Sequence, residues 1–491
     1  MGIITSDPEP TVLICAWRLH MNLLPAQHTS RLTKSGHWLQ RHHVIIRRVQ
    51  WIVLFAYAIL IFIPPLMPLP DDTAHIWSSL TVFSQFVLWG IWWPFVLLSI
   101  VIFGRVWCGI LCPEGALSEL ASKHGLGRSI PRWIRWGGWP FVSFGLTTIY
   151  GQMISVYQYP KAVLLVLGGS TIAAIIIGLL YGREKRIWCK YLCPVNGVFA
   201  LLARCAPLCY RVDGNAWRFS YMENKRNQRV IPVNCAPLVP LRSMKGASSC
   251  HMCGRCSGYR DAISLQWRSP AQEIVELGEK EANRWDTALI LYGLLGIANG
   301  AFHWSVSPLF IFIKQSIAEW LIDHNILWPL ETNVWWFIFT NYPERNDVFS
   351  WLDGGLVIGY IVTAGLLYGT ILLGFLTVGN FLLGRWSTLR LHHFTQALIP
   401  VAGMSVFLGL SGTTVSLLRA EHLLLSVSWV QNLWFILLTV ANIASLYLAV
   451  KIIVKHMHHI STFVLRGIGA LLCFIAALAV ADSAWWLMCY N

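Results

Sequence analysis

Cys250, Cys253 and Cys256 stand three residues apart in the stretch CHMCGRC. A C-x2-C-x2-C run turns three thiolates to one side of a tight wrap, as an iron–sulfur cubane requires. Gly254 permits the sharp turn and lets backbone N–H groups point at the sulfides. Zinc is more often held by two separated cysteine pairs, so three evenly spaced thiols favour a [4Fe-4S] cluster. The bacterial ferredoxin run continues to a fourth Cys followed by Pro. Here those positions hold Arg260 and Asp261, so the fourth ligand must come from elsewhere. Cys235 in NCAPL is the first choice, and Cys205 and Cys209 in RCAPLCY compete with it. Arg255 and Arg260 flank the run and are expected to raise a cluster's potential by opposing the thiolate charge.

A second pattern is written twice. Trp107 to Pro113 reads WCGILCP, and Trp188 to Pro194 reads WCKYLCP. On a helix, residues i and i+4 share a face. Each copy therefore offers two thiols together, and Pro113 or Pro194 breaks or restarts the helix just beyond them. A single buried cysteine is usually packing. A seven-residue pattern repeated at the ends of two apolar runs reads instead as two halves of one site. Cys108, Cys112, Cys189 and Cys193 then supply four thiolates to a metal centre: a second [4Fe-4S] cluster, or a thiolate site for copper or iron handling.

These residues need a scaffold, and the composition says which kind. Of 491 residues, 56% are hydrophobic and only 12% are charged. A soluble domain carries about a quarter charged residues, so lipid is the expected solvent. The 26 Trp suit membrane interfaces. The net charge of +14 is read as basic loops on one membrane face, not as a nucleic-acid surface. The 13 Cys fall in short motifs and suggest no disulfide framework. No cleavable signal is read before the first apolar run near Val49.

Runs of about twenty apolar residues, the length a bilayer core requires, lie near 49–68, 77–103, 137–157, 162–182, 286–313, 354–380, 394–418, 426–450 and 463–487. A tilt or a kink at Pro94 is expected in the long second run. With the N-terminus inside, the inner segments, together with Arg466 at the last run's edge, hold about 33 of the 37 Lys and Arg. That alternation obeys the positive-inside rule. It puts both cysteine pairs and the polar interval 183–285 on the cytoplasmic face. The expected fold is an all-α polytopic membrane protein of eight to nine transmembrane helices with a small cytoplasmic ferredoxin-like insert. Its parts are a basic leader (1–48), a four-helix domain (49–182), the insert (183–285) and a C-terminal membrane domain (286–491). The short outer stretch NVWWFIF, Asn333 to Phe339, reads as interfacial or re-entrant.

GRVWCGILCPEGAL, WCKYLCPVNG and CHMCGRC together resemble the membrane-bound polyferredoxin family over about residues 45–270. That family includes the quinol-oxidising subunit of periplasmic nitrate reductase systems, a membrane protein of nitrous-oxide respiration and an assembly factor of cbb3-type oxidases. The layout is also similar to the polyferredoxin-like component of bacterial iron-uptake systems. The resemblance implies electron transfer at the bacterial inner membrane, from a cytoplasmic donor or quinol. It also implies a periplasmic redox or iron-binding partner and a permease. The sequence departs from the family in its incomplete ferredoxin motif and its added C-terminal spans. A haem is not assigned, because His303, His393, His422 and His456 to His459 give no pair of axial ligands at matched depth. No Walker motif, dinucleotide glycine pattern or Ser-His-Asp order appears, so a redox subunit is expected in place of a stand-alone enzyme. A cluster on one face cannot serve an acceptor across about 30 Å of hydrocarbon without a relay. Thiol-based metal delivery is the alternative function.

Overall fold

The structure, a computed structural model, describes residues 31–71, 73–224, 232–423, 427–457 and 464–489. The first thirty residues of the basic leader, and His458 and His459, lie outside them. Helix α1, Arg31–Arg41, lies ahead of the first span, α2, His43–Leu66. The next spans are α3, Leu80–Phe103, and, after the short helix α4, Pro113–Lys123, and helix α5, Trp139–Met153, α6, Pro160–Tyr181. The insert contributes helix α7, Asn196–Cys205, and a two-stranded antiparallel ribbon, β1 Leu208–Val212 with β2 Ile263–Trp267. The C-terminal half adds α8, Arg284–Val306, helix α9, Pro308–Asp323, and spans α10, Trp351–Leu382, α11, Thr388–Ala420, α12, Trp429–Met457, and α13, Val464–Trp486. Eight of these helices are long and apolar enough to cross a membrane. The chain is an all-α polytopic membrane protein.

Two expected spans differ from observation. The run 137–157 forms a 15-residue helix, about 22 Å long at 1.5 Å per residue. The chain leaves α5 at Met153 because Thr340 holds the Met153 carbonyl through its backbone N–H at 2.8 Å. Ser155, at φ 49°, then turns the chain back toward Pro160. The run 286–313 divides at Ser307, whose side chain accepts from the Phe310 N–H and starts α9 as a separate helix. Pro94 sits in the first turn of a helical segment, and the irregularity precedes it as a widened turn over Phe86–Trp92.

The loops sort to two ends, as an alternating topology requires. At one end the Tyr159 hydroxyl donates to Asp347 at 2.7 Å, and Tyr150 donates to the Phe337 carbonyl at 2.6 Å. These contacts gather 154–159 and 337–347, including the NVWWFIF stretch, a turn with Val334 and Phe339 buried. At the other end Gln50 donates to the Gly109 carbonyl at 3.2 Å, and Lys455 donates to the Val275 carbonyl at 2.9 Å. Both cysteine pairs and the insert lie at this second end.

The insert is anchored in two ways. Helix α7 is apolar and enters the main core, where Val198, Phe199, Leu201 and Leu202 are buried with Leu294, Ala402 and Val406. Arg268, 4% exposed, holds the root of the ribbon. It donates to the carbonyls of Ala206 at 2.8 Å and Ala203 at 2.9 Å and pairs with Glu273. Glu273 in turn accepts from the Ala247 N–H at 2.7 Å. Removing one member of such a pair strands a buried charge, which costs about 3–5 kcal/mol. Arg268→Met is expected to lower the thermal unfolding temperature of the detergent-solubilised protein sharply. Arg268→Met with Glu273→Leu should recover part of that loss, because both charges leave together.

Candidate iron–sulfur site

The two W-C-x-x-L-C-P copies adopt a shared backbone device. The Cys112 N–H donates to the Trp107 carbonyl at 2.9 Å, and the Cys193 N–H donates to the Trp188 carbonyl at 3.0 Å. Each bond spans five residues; the first copy is a widened turn over Trp107–Leu111, while the second keeps a short α-helix over Ile187–Tyr191 before the same closure. Pro113 then starts α4, with Cys112 extended at its cap. The copies also bind each other. Trp188 Nε1, from the second, donates to Glu114 Oε2 at 3.2 Å, just after the first. Arg105 bridges them, approaching Cys108 Sγ at 3.9 Å and donating to Asn196 Oδ1 at 2.6 Å. Cys108, Cys112, Cys189 and Cys193 all line one cavity.

Burial raises these thiols. Cys189 is pushed up to about 12 by burial, with Arg186 pulling against it and Cys108 adding to it. Cys112 is raised well above its ordinary value by burial, then by Cys189, Cys108 and Glu114. Four buried thiols that line one pocket do not all ionise unless a cation joins them.

The second set comes from the insert. Cys235 lies with Cys250, Cys253 and Cys256: burial and the charges of Cys256, Cys253 and Cys235 all raise Cys250. Cys256 is pushed up to about 12 by burial, then by Cys253 and Cys235. Cys205 and Cys209 lie elsewhere, beside Arg268 and Glu273. The loop suits a cluster, because Gly254 and Gly258 take positive φ and Met252 joins them at φ 52°. Alternating handedness of this kind directs successive N–H groups inward. Lys185 and Lys190 face Cys235. Arg255 pairs with Glu119 at 2.7 Å, while Arg260 lies over Trp217 and Tyr259.

The two sets meet at Gly109. A Cβ there would fall 2.0 Å from the His251 carbonyl oxygen and 3.0 Å from the Cys253 nitrogen. The second copy has Lys190 at the equivalent place, so this glycine serves the docking contact. Arg186, 2% exposed, sits between the sets, under the influence of both Cys189 and Cys253. It donates to the Cys108 carbonyl at 2.5 Å and pairs with Glu119 at 2.8 Å. Burial raises Glu119, but Arg186 and Arg255 outweigh it and hold the carboxyl below its usual range. His251, 2% exposed, is lowered well below its ordinary value by burial and then by Arg105 and Arg186.

The cavity beyond the paired thiols has a volume of about 640 Å³. Trp89, Trp92 and Trp93 on α3 form one wall, and Tyr157 closes the far end. Leu146 and Leu165, both exposed on the outside of the bundle, also border it. Widened helical turns at Phe86–Trp92 and Leu164–Gly168 flank it. The pocket was not legible in the sequence; a tryptophan triplet at 89, 92 and 93 was its nearest signal. His393 bonds directly to His456 at 3.1 Å, and His303 is engaged with the Asn299 carbonyl at 2.5 Å.

A family profile described as a 4Fe-4S binding domain matches residues 85–135 and 165–209. Each matched stretch holds one copy of the doubled motif, and the second also includes Cys205 and Cys209; the C-x2-C-x2-C run lies outside both. No curated protein and no solved structure matches the chain. The chain is an iron–sulfur protein carrying a 4Fe-4S binding domain in a multi-pass membrane scaffold.

The two groupings give opposite expectations for nearby cysteines. Cys235→Ser should lower the iron and acid-labile sulfide of anaerobically purified protein, and Cys205→Ser should leave both at wild-type content. Equal losses in the two variants would reject Cys235 as the insert's fourth ligand.

Proposed function

We propose that this chain is a membrane-bound polyferredoxin-type electron-transfer protein of a bacterial cytoplasmic membrane, with its N-terminus and both cysteine sets on the cytoplasmic side. The observation that carries the reading is the contact at Gly109, which puts two four-cysteine sets against one another through backbone alone. In it, Cys235, Cys250, Cys253 and Cys256 hold a cluster on the insert, and Cys108, Cys112, Cys189 and Cys193 hold a second centre at the membrane end. A [4Fe-4S] cluster supplies reversible one-electron carriage when bound. The chain's own residues bring the sets close, exclude water and balance charge. Arg186 and Arg105 offset thiolate charge at the paired motif, and Lys185 and Lys190 do so at Cys235.

The apolar cavity supports quinone or quinol as the membrane partner. It reaches the paired cysteines on one side and the lipid-facing Leu146 and Leu165 on the other. Such a carrier takes up or releases electrons within the bilayer and removes the need for a fixed relay across it. Support of iron uptake, through a periplasmic iron-binding partner and a permease, rests on the family resemblance.

The test is EPR on dithionite-reduced, anaerobically purified protein. Two interacting cluster signals are expected, with one lost in Cys253→Ala and the other in Cys108→Ala. Gly109→Leu should separate the sets and remove the mutual broadening of the signals. Zinc or copper without sulfide would reject the electron-transfer reading.

A further inference from the structure

A second cavity, of about 580 Å³, opens at the same end of the molecule as the cysteines. Its floor includes Gly109 and Cys253, the two residues at the junction between the sets. Arg41 and Arg47 line it from the first two helices, Lys123 from the end of α4, and Arg255 from the cluster loop. Two carboxylates are also present. Glu119 is neutralised by Arg186 and Arg255, while Glu184 accepts from the neutral Asn234 at 2.8 Å and keeps its charge, one against the three cations that follow. Arg41, Arg47 and Lys123 are exposed and make no ion pair or hydrogen bond among the described residues. The vestibule therefore presents uncompensated positive charge around a half-buried cluster-loop cysteine.

We infer that this vestibule is the docking site for the acidic face of a small soluble one-electron carrier protein. The inference rests on the proposed electron-transfer function and assigns its entry point. Sites for small molecules are mostly apolar and enclose their ligand. Here the walls are long, exposed charged side chains, and among the described residues no Trp, Tyr or Phe lines the cavity. Such a rim suits electrostatic steering of a protein surface, which raises association rates and fixes orientation. Docking there brings a donor's redox group over Cys253, the cluster-loop cysteine that lines the cavity. The exchange is one electron out of the donor and one into the insert's cluster; no bond forms or breaks. A fully reduced flavin fits as the donor group, because losing one electron leaves it a semiquinone.

The test uses the full-length protein in detergent and a photoreduced flavoprotein of net negative charge. The reduction rate of the wild type should fall steeply as salt rises, since screening weakens steering. Arg41→Glu/Arg47→Glu/Lys123→Glu should slow reduction about 10- to 1000-fold at low salt and flatten the salt dependence. Arg41→Gln/Arg47→Gln/Lys123→Gln should show a smaller slowing, should the reversed variant fold poorly. Reduced methyl viologen, a cation, should reduce the charge-reversed variant at least as fast as the wild type. Normal viologen reduction with unchanged flavoprotein kinetics overturns the docking site alone. So does loss of binding to anionic-lipid vesicles with flavoprotein kinetics unchanged, which marks a lipid headgroup site. A wild-type protein with no viologen-reducible centre overturns both the docking site and the functional reading.

Discussion

One backbone contact organises the cysteine end of this molecule. The His251 carbonyl occupies the space a side chain would take at Gly109, so the insert rests directly on the first membrane motif. Everything else there follows from closing that gap. The charges that remain between the two thiol sets are largely withdrawn from solvent. They are satisfied by Arg186, which reaches the Cys108 carbonyl and Glu119, and by Arg255, which takes the second Glu119 oxygen. A buried carboxylate flanked by two guanidinium groups stays ionised. Its cations are then committed to it, and Arg255 is not a free charge beside the cluster loop.

The membrane scaffold is built to serve the same junction. Helix α7 belongs to the polar interval by sequence position, yet Val198, Phe199, Leu201 and Leu202 lie in the core of the membrane domain. That helix carries Asn196 at its start, where it receives Arg105 and donates to the Lys190 carbonyl at 3.0 Å. The second motif is thus clamped to the first by a helix whose own stability comes from apolar burial. Widened turns on α3 and α6 flank the space beside the thiols, so the apolar cavity and the paired cysteines form one continuous region. Open space of this size is unfavourable in a packed interior, where voids forfeit dispersion contacts. Its presence next to four thiols argues for a use.

Much of the architecture was written in the chain. The apolar runs and the bias of Lys and Arg to alternate loops foretold the helices and the two ends, because a bilayer admits few other solutions. The doubled motif, whose copies differ at only two of seven positions, pointed to residues that the fold brings to the lining of one cavity. What could not be read were the features that depend on contact between distant segments. The shortness of α5 comes from Thr340 holding the Met153 carbonyl across 187 residues of sequence. The engagement of Arg255 comes from Glu119, on another helix.

Residue type and local spacing were enough to tell the solvent of the protein and the rough placement of its apolar helices, but not their number or ends, which Thr340 and Ser307 set. Tertiary structure decided which cysteines stand together. CAPL occurs twice, and local pattern cannot distinguish Cys235 from Cys205. Folding separates them: the buried Arg268–Glu273 pair draws the Cys205 segment to the root of the ribbon, while Lys185 donates to the Cys235 carbonyl at 3.1 Å and ties that segment beside the second motif. A ligand set is a property of distances in space, and those distances are fixed by partners far away along the chain.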